Sequence, residues 1–223
     1  MTEAFKPTQV QLILAGEQLF AEHGIEGCSL HQIATRAGQA NNTAVHYHFG
    51  SRESLVAAIS TYRVQQLDRL RARHLRRLLR RPEKPRLREL LEVLLLVQLE
   101  IADERGRHPY AHFMVQYLLR YRPLGMPHAS DRQGAGNRTL YRLIHMIEAE
   151  LSWLPSHVVR QRLEFLHLSF LAMLARHDSA RARRHEAVPL ATAESARPEP
   201  SLAGKADEMI DMILVAIQVP SAG

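Results

Sequence analysis

Polar side chains that could bind a metal, transfer a proton or contact a charged polymer gather in one stretch of the sequence, AGQANNTAVHYHFGSRESL, residues 37–55. His46 and His48 are the strongest metal candidates in it, but side chains two positions apart do not converge on one face of a helix. No cysteine or carboxylate adjoins the two histidines to complete a zinc site. The spacing therefore favours contact with phosphate, or local packing, over metal binding or catalysis.

Two other features could support chemistry, and neither has the partners it would need. His108 and His112 are four residues apart, yet Pro109 lies between them and the HExxH pattern of zinc proteases is absent. Cys28 precedes an expected helix, a position that can lower a thiol pKa, but no histidine or aspartate partner is evident. We expect Cys28 to be a packed small residue, with a redox role as the alternative. The sequence predicts no enzyme, no cofactor and no metal ion.

Composition indicates a globular protein and favours an anionic partner. The 223 residues carry a net charge of +6, 46% of them are hydrophobic, and a single cysteine cannot form an internal disulfide. No apolar stretch is long enough to span a bilayer, and the first residues have no apolar signal core. We therefore expect a protein of the reducing cytoplasm.

Helical periodicity extends over almost the whole chain, and strand-like alternation is not sustained over any useful length. Ser29 and Gln32 have the spacing of a capping box, which predicts the start of a second helix. Ser51 is expected to cap a long fourth helix. The predicted helices cover residues 8–23, 29–37, 41–47 (or 42–47), 51–81, 86–105, 109–121, 132–152, 155–177 and 205–218, with a mobile loop at about 179–204. The expected fold class is all-α, with about nine helices.

The first three helices have the organisation of a helix-turn-helix, in which a supporting helix precedes two short helices joined by a turn that contains Gly38. A recognition helix reads the major groove with short polar side chains. Asn41 and Asn42 carry amides that can pair with adenine edges, and Thr43 carries a methyl group that can touch thymine. The residues expected to contact bases or phosphates are Lys6, Ser29, Arg36, Gln39, Asn41, Asn42, Thr43, His46, Tyr47, His48 and Arg52.

The stretch LFAEHGIEGCSLHQIATRAG followed by VHYHFGSRESL resembles the DNA-binding domain of TetR-family transcriptional regulators, over about residues 10–57. Two features depart from the family pattern. Ten residues separate Gly38 from Phe49, one more than usual, and His46 stands where the family usually has tyrosine. The resemblance implies a three-helix DNA-binding domain at residues 1–50 and a helical ligand-binding and dimerisation domain at residues 51–223.

The same resemblance implies a mode of action. A homodimer would form through the helices at about 155–177 and 205–218 and would bind double-stranded DNA at a pseudo-palindromic operator, most simply as a repressor. A largely apolar small-molecule effector would release it. The residues expected to line the effector pocket, which would also suit an ordinary core, are Phe113, Met114, Tyr117, Tyr121, Tyr141, His145, Trp153 and Phe170.

Charge is distributed unevenly along the chain. Through residue 53 there are three basic and five acidic residues, so the expected DNA-binding domain is not basic overall. Residues 63–88 hold eleven lysines and arginines against two acids. We expect this basic segment to be the solvated face of the long helix, with a second nucleic-acid patch or an anionic-lipid surface as alternatives. The rival functions are an architectural or unregulated DNA-binding protein and a helical lipid-binding protein or enzyme.

Overall fold

A computed structural model describes residues 5–39, 41, 43–186 and 200–220 of the chain, and every regular element in these residues is helical. The predicted all-α fold class is confirmed. The helices are α1 (Pro7–His23), α2 (Leu30–Arg36), α3 (Ala44–Phe49), α4 (Arg52–Leu78), α5 (Leu87–Leu95), α6 (Pro109–Gln116), α7 (Arg138–Glu150), α8 (Ser156–Glu186) and α9 (Leu202–Ile217). None of these described helices is long and apolar enough to cross a membrane.

The start of α2 is fixed by the capping box that the sequence predicts. The Ser29 hydroxyl accepts a hydrogen bond from the Gln32 amide at 3.1 Å, and the Gln32 carboxamide accepts one from the Ser29 amide at 2.7 Å. Helices α1 to α3 then bury a common apolar core. Its members include Leu12, Ile13, Phe20, Ile33, Ala34 and Val45, all without exposed surface.

Helix α3 begins later than the predicted residue 41 because Asn41 makes a turn of its own. Its side-chain oxygen accepts hydrogen bonds from the Thr43 amide at 2.9 Å and from the Thr43 hydroxyl at 2.7 Å. This side-chain bond offers the Thr43 amide an alternative to a helical partner, so the first helical residue is Ala44.

The long helix α4 packs closely against α1 before it continues into the second half of the molecule. A Cβ atom added to Gly16 of α1 would lie 3.1 Å from Leu55 and 3.5 Å from Ile59, both on α4. Glycine at this position therefore lets the two helices approach each other. Helix α4 then ends at Leu78, three residues before the predicted end.

Two predicted helices are shorter in the structure because each changes from an α-helix to another helix type before its predicted end. Helix α5 gives way to a 3-10 turn at Leu96–Ile101, and α6 gives way to a π-helical turn at Tyr117–Tyr121 followed by a short 3-10 turn. Helix α7 starts at Arg138 and not at residue 132. Its N-terminal amides at Thr139 and Leu140 donate to the Asp68 carboxylate at 3.2 and 2.8 Å, which ties α7 to α4.

The mobile loop predicted at about 179–204 requires correction at both ends. Helix α8 continues to Glu186, and α9 begins at Leu202 with the Ser201 hydroxyl accepting the Gly204 amide at 3.1 Å. The alanines and arginines just after residue 178 are strong helix formers, and the buried Asp178 carboxylate accepts the His108 amide at 2.5 Å, which anchors α8 to α6. Residues 187–199 lie outside the described residues.

Candidate nucleic-acid interface and regulatory cavity

The outer face of α3 presents hydroxyl groups to solvent. Thr43 and Tyr47 are four residues apart and share one face of the helix, while Ala44 and Val45 are buried against the domain core. Tyr47 is 83% exposed, and its ring meets only the edge of the His48 ring at a centroid distance of 4.9 Å. A large side chain left this free of packing can be used for contact with another molecule.

Amide side chains at Gln39 and Asn41 form hydrogen bonds just before α3. The Gln39 amide nitrogen donates to Gln11 of α1 at 3.1 Å, which fixes the turn to the supporting helix. Asn41 is exposed but its oxygen is engaged by Thr43. The predicted contact residue Asn42 lies outside the described residues.

The two histidines of α3 differ in what they can donate. His46 is exposed, and its Nδ1 lies 2.9 Å from the Gly50 carbonyl oxygen, so that nitrogen carries a proton. Its Nε2 could donate to a phosphate only in the doubly protonated ring. His48 is half-buried between Tyr47 and Phe49. Within the described part of the chain, no three His, Cys, Asp or Glu side chains come together as metal ligands.

Arg52, predicted from the sequence to contact phosphate, is occupied inside the domain. Its guanidinium donates to the backbone carbonyls of Ile25 and Cys28, the latter at 2.8 Å, and lies over the ring of Phe20. These contacts hold the segment between α1 and α2 against the start of α4. We therefore remove Arg52 from the candidate DNA-contacting residues and assign it a structural role.

The remaining predicted contacts lie on the surface. Lys6 is exposed at the N-terminus of α1, and Ser29 is exposed at that of α2, although its hydroxyl is used by the capping box. Arg36, also exposed, donates to Glu22 at 3.3 Å.

The acidic side chains of the DNA-binding domain mostly face the rest of the protein. Glu17 forms a buried ion pair with Arg63 of α4, with both nitrogen–oxygen distances at 2.6 Å. Glu22 lies 3.7 Å from Arg107, and Glu26 accepts the Tyr121 hydroxyl at 3.2 Å. The negative charge that outweighs the basic residues in the sequence is thus concentrated at contacts with later helices and does not follow the exposed face of α3.

A cavity of about 340 Å³ lies among α4, α5, α6, α7 and α8. Most of its walls are apolar, as is usual for small-molecule sites, which occupy about 300–1,000 Å³. Of the residues predicted to line a pocket, only Met114 and Tyr141 do so. The other aliphatic and aromatic lining residues are Val64, Leu67, Leu94, Tyr110, Leu118, Leu140, Ile144 and Leu163.

The other predicted pocket residues have different places. Phe113, Tyr117 and Phe170 are buried in the core and do not line the cavity. Tyr121 is buried against Glu26. His145 and Trp153 are exposed on and just after α7. Because both side chains are exposed to solvent and neither lines the cavity, we remove both from the candidate pocket.

The cavity also contains polar side chains that the sequence analysis did not select. Arg71, Gln98, His128 and His167 all line it. Arg71 is 3% exposed although it lies in the basic segment 63–88. The spacing Leu67-x-x-x-Arg71-x-x-x-Leu75 places it on the buried face of α4, and this was the one sequence signal that could have identified it.

The rest of the basic segment 63–88 forms the solvent-exposed face that the sequence predicts. Residues Arg69, Arg73, Arg76, Arg77, Arg80, Arg81, Lys84 and Arg86 are exposed, and the buried exceptions in this segment are Arg63 and Arg71. Burial alone would lower the pKa of Arg63, but the hydrogen bonds and charge of Glu17 raise it overall.

Two helices connect the cavity with the DNA-binding domain. Helix α4 contributes Arg71 to the cavity and Arg63 to the ion pair with α1. Helix α6 contributes Met114 to the cavity, while its Phe113 ring stacks on Phe20 at 6.2 Å and its Gln116 amide donates to the Phe20 carbonyl at 3.2 Å. A change in the shape of the cavity can therefore be transmitted to α1 through the packing of either helix.

The fold is similar to that of two solved structures. One is described as a tetR family transcription regulator from Shewanella sp. PV-4; it is 15% identical, with a TM-score of 0.57 over 95% of this chain and 98% of that chain. The other is the fatty acid degradation regulator FadR from Bacillus halodurans, 14% identical, with a TM-score of 0.56 over 97% of each chain. At these identities the likeness concerns the fold alone.

Sequence comparison identifies the N-terminal part of the chain. No curated protein matches the sequence. Residues 12–59 match the family model of bacterial regulatory proteins of the tetR family, a range that contains the capping box of α2, the turn, α3 and the start of α4. The helix-turn-helix and the all-helical domain behind it agree with this assignment. Residues 12–59 are therefore a DNA-binding domain of the kind found in bacterial regulatory proteins of the tetR family.

Proposed function

We propose that the protein is a ligand-controlled repressor that binds a pseudo-palindromic operator in the cytoplasm as a homodimer and leaves it when a small molecule enters the cavity. The observation that carries the proposal is that α4 and α6 form walls of the cavity and also hold α1 of the DNA-binding domain. We divide the chain near residue 50, between a DNA-binding domain at 1–50 and a regulatory domain at 51–223.

In this proposal α3 enters the major groove with Thr43 and Tyr47 facing the DNA. Asn41, Asn42 and Gln39 would lie beside the bases at the turn, and Lys6 and Arg36 would reach phosphates at the flanks. The exposed amides at the start of α2, near Ser29, would hold one more phosphate. His46 and His48 would contribute at the end of α3.

Dimerisation is proposed through α8 and α9. Phe165 of α8 and Met212 and Val215 of α9 are exposed, the last by 69%. The two helices also contact each other, since Arg162 of α8 donates to the Ile217 carbonyl at 2.9 Å. Apolar side chains exposed on two adjacent helices are suited to pairing with the same helices of a second copy about a twofold axis.

Regulation follows from the two-copy arrangement. The two α3 helices must lie roughly 34–36 Å apart to enter successive major grooves on one face of the DNA. A ligand that fits the cavity better when α4 and α6 are displaced would favour a different separation and so weaken operator binding. An architectural DNA-binding protein would not need such a cavity, which is why we prefer the regulated function.

The test is operator binding with and without a cavity ligand. DNA fragments from the regions flanking the gene are titrated with the full chain and the affinity is measured by fluorescence anisotropy. We expect tight binding to one pseudo-palindrome and a loss of about 5–150-fold when the cavity is saturated. Binding that ignores sequence would support the architectural alternative, and an operator affinity that no cavity ligand changes would contradict regulation.

The dimer is tested by placing charge on its proposed interface. The double substitution Met212→Glu and Val215→Glu is expected to convert a dimer to a folded monomer, because desolvating unpaired carboxylates at the interface opposes association. Sedimentation velocity gives the mass, and circular dichroism reports folding. The control is Leu124→Glu, an equally exposed apolar residue on the turn after α6 that should leave the dimer intact. A monomeric unchanged chain, or a dimeric double variant, would refute this interface.

A further inference from the structure

The cavity wall contains a buried cation with no carboxylate bound to it. In the part of the chain that the structure describes, the Arg71 guanidinium donates only to the Leu94 carbonyl, from Nε at 3.2 Å and from Nη2 at 3.1 Å, and forms no ion pair. Asp68 lies one helical turn away, but its oxygens accept the two N-terminal amides of α7. Arginine is rarely fully buried unless an anion is paired with it.

This burial is unfavourable for the charged side chain of Arg71. Desolvation lowers the pKa of Arg71 to about 10, although the nearby charge of Asp68 acts in the opposite direction. The guanidinium is still protonated near neutral pH. A protein that retains such a charge against the cost of desolvation leaves a place for a compensating anion.

His128 adds a second unused donor to the same cavity. Its Nδ1 accepts the Ser130 amide at 3.2 Å and lies 2.6 Å from the Ser130 hydroxyl, so the proton of the neutral ring is assigned to Nε2. That Nε2 is buried, and no atom of the described residues forms a hydrogen bond with it. Burial lowers the pKa of His128 to about 4, so the ring is neutral and offers an N–H donor without a charge.

The other polar groups around the cavity are neutral, paired with each other or exposed, so Arg71 is the charge that remains in its interior. Gln98 pairs with Nε2 of His167 at 3.0 Å, and burial lowers the pKa of His167 to about 3, with further lowering from Arg71 and His128. Arg71, His128 and His167 all line the same cavity. Arg122 and Asp131, also at the cavity wall, satisfy each other at 2.6 Å, and Arg160 pairs with Glu148 at the same distance. Glu164, the remaining acid in the lining, is exposed.

We propose that the cavity binds an apolar monocarboxylate, whose head group is held by the Arg71 guanidinium and the His128 Nε2 donor and whose body lies on the aliphatic wall. A single negative charge balances the single uncompensated cation, whereas a dianion such as a phosphate monoester would leave a buried charge of its own. The planar guanidinium can donate to a carboxylate with two parallel hydrogen bonds. The largely apolar effector expected from the sequence thus acquires an acidic end.

The inference rests on the proposed regulatory function only where it concerns DNA release, because binding in the cavity is measured without DNA. The probes are octanoate and 4-phenylbutyrate, each compared with its own primary amide, which keeps the shape and removes the charge. Titration calorimetry on the full chain is expected to show at least one acid bound about tenfold or more tightly than its amide, as charge-assisted hydrogen bonds require.

Substitution of the cation identifies the site. Arg71→Met keeps an unbranched, largely apolar side chain without the guanidinium and should abolish the preference for acid over amide, while Arg69→Met, at an exposed arginine two residues earlier on α4, should preserve it. Circular dichroism checks that both variants fold, and the acid–amide comparison on the unchanged chain needs no variant. The proposal is overturned if no acid binds, if acids and amides bind equally, or if the preference survives Arg71→Met.

Operator affinity measured in parallel separates this inference from the proposed function. An acid that binds through Arg71 yet leaves operator affinity unchanged contradicts regulation by the cavity and retains the carboxylate site. If the amides release the operator as effectively as the acids do, regulation by the cavity stands. The requirement for an anionic head group is then contradicted.

Discussion

Tyr47→Ala is expected to weaken operator binding by about a hundredfold to ten-thousandfold while leaving the thermal unfolding temperature unchanged. A hydrogen bond to a charged group such as phosphate contributes roughly 1.5–3 kcal/mol. A symmetric dimer loses the contact twice, and each 1.4 kcal/mol is about a factor of ten in affinity. The fold should not suffer, because the Tyr47 side chain is 83% exposed.

The measurement is a pair of titrations for each variant, one by fluorescence anisotropy with the operator and one by thermal unfolding. Tyr47→Phe removes the hydroxyl and keeps the ring. A contact between the hydroxyl and phosphate is lost in both variants, whereas a stacking contact of the ring is lost only in Tyr47→Ala. Trp153→Ala is the matched control, an exposed aromatic residue beyond α7 that has no place in the DNA interface. Full operator affinity in Tyr47→Ala would show that α3 does not face the DNA as proposed.

The DNA-binding half of the fold could be predicted closely because its signals are local. The Ser29 and Gln32 pair determines where α2 starts, and the structure contains both of its hydrogen bonds. The start of α3 was misplaced because the side chain of Asn41 competes for the Thr43 amide. Arg52 was misassigned because a basic residue at a helix start has the same appearance in sequence whether it faces phosphate or the carbonyls of Ile25 and Cys28.

The cavity could not be predicted in detail because core and lining residues have the same composition. Phe113 and Met114 are neighbours on α6, yet one is packed core and the other faces empty space. The exposure of Trp153 depends on where α7 ends, which a capping signal did not mark. Arg71 was hidden among arginines that are solvated, and only the three-dimensional packing of α4 separates it from them.

The excess of acidic residues in the first domain has a different meaning once their contacts in the structure are known. The acids of the first domain seemed to oppose DNA binding. Glu17, Glu22 and Glu26 instead contact Arg63, Arg107 and Tyr121, which belong to the regulatory half. The same residues that make the domain acidic therefore join it to the part of the molecule proposed to sense the ligand, and the face of α3 keeps neutral polar groups.

Glu17→Ala is expected to have the largest effect on stability, a loss of about 3–5 kcal/mol in the free energy of unfolding. Removing Glu17 leaves the Arg63 guanidinium buried without its partner, at a contact where both hydrogen bonds measure 2.6 Å. The cost comes mainly from that unpaired charge, since the intact pair itself bears a large desolvation penalty. Urea unfolding at one fixed protomer concentration gives the value, because the stability of a dimer depends on concentration.

Two further variants decide whether charge or packing is responsible. The double substitution Glu17→Leu with Arg63→Met removes both charges and fills similar space, so it should recover most of the lost stability. Glu22→Ala breaks the exposed pairs with His23, Arg36 and Arg107 and should cost no more than about 1 kcal/mol. If the double variant is as unstable as Glu17→Ala, packing is the cause. If it is stable but its operator no longer responds to a cavity ligand, the ion pair serves to transmit the change in α4 to α1.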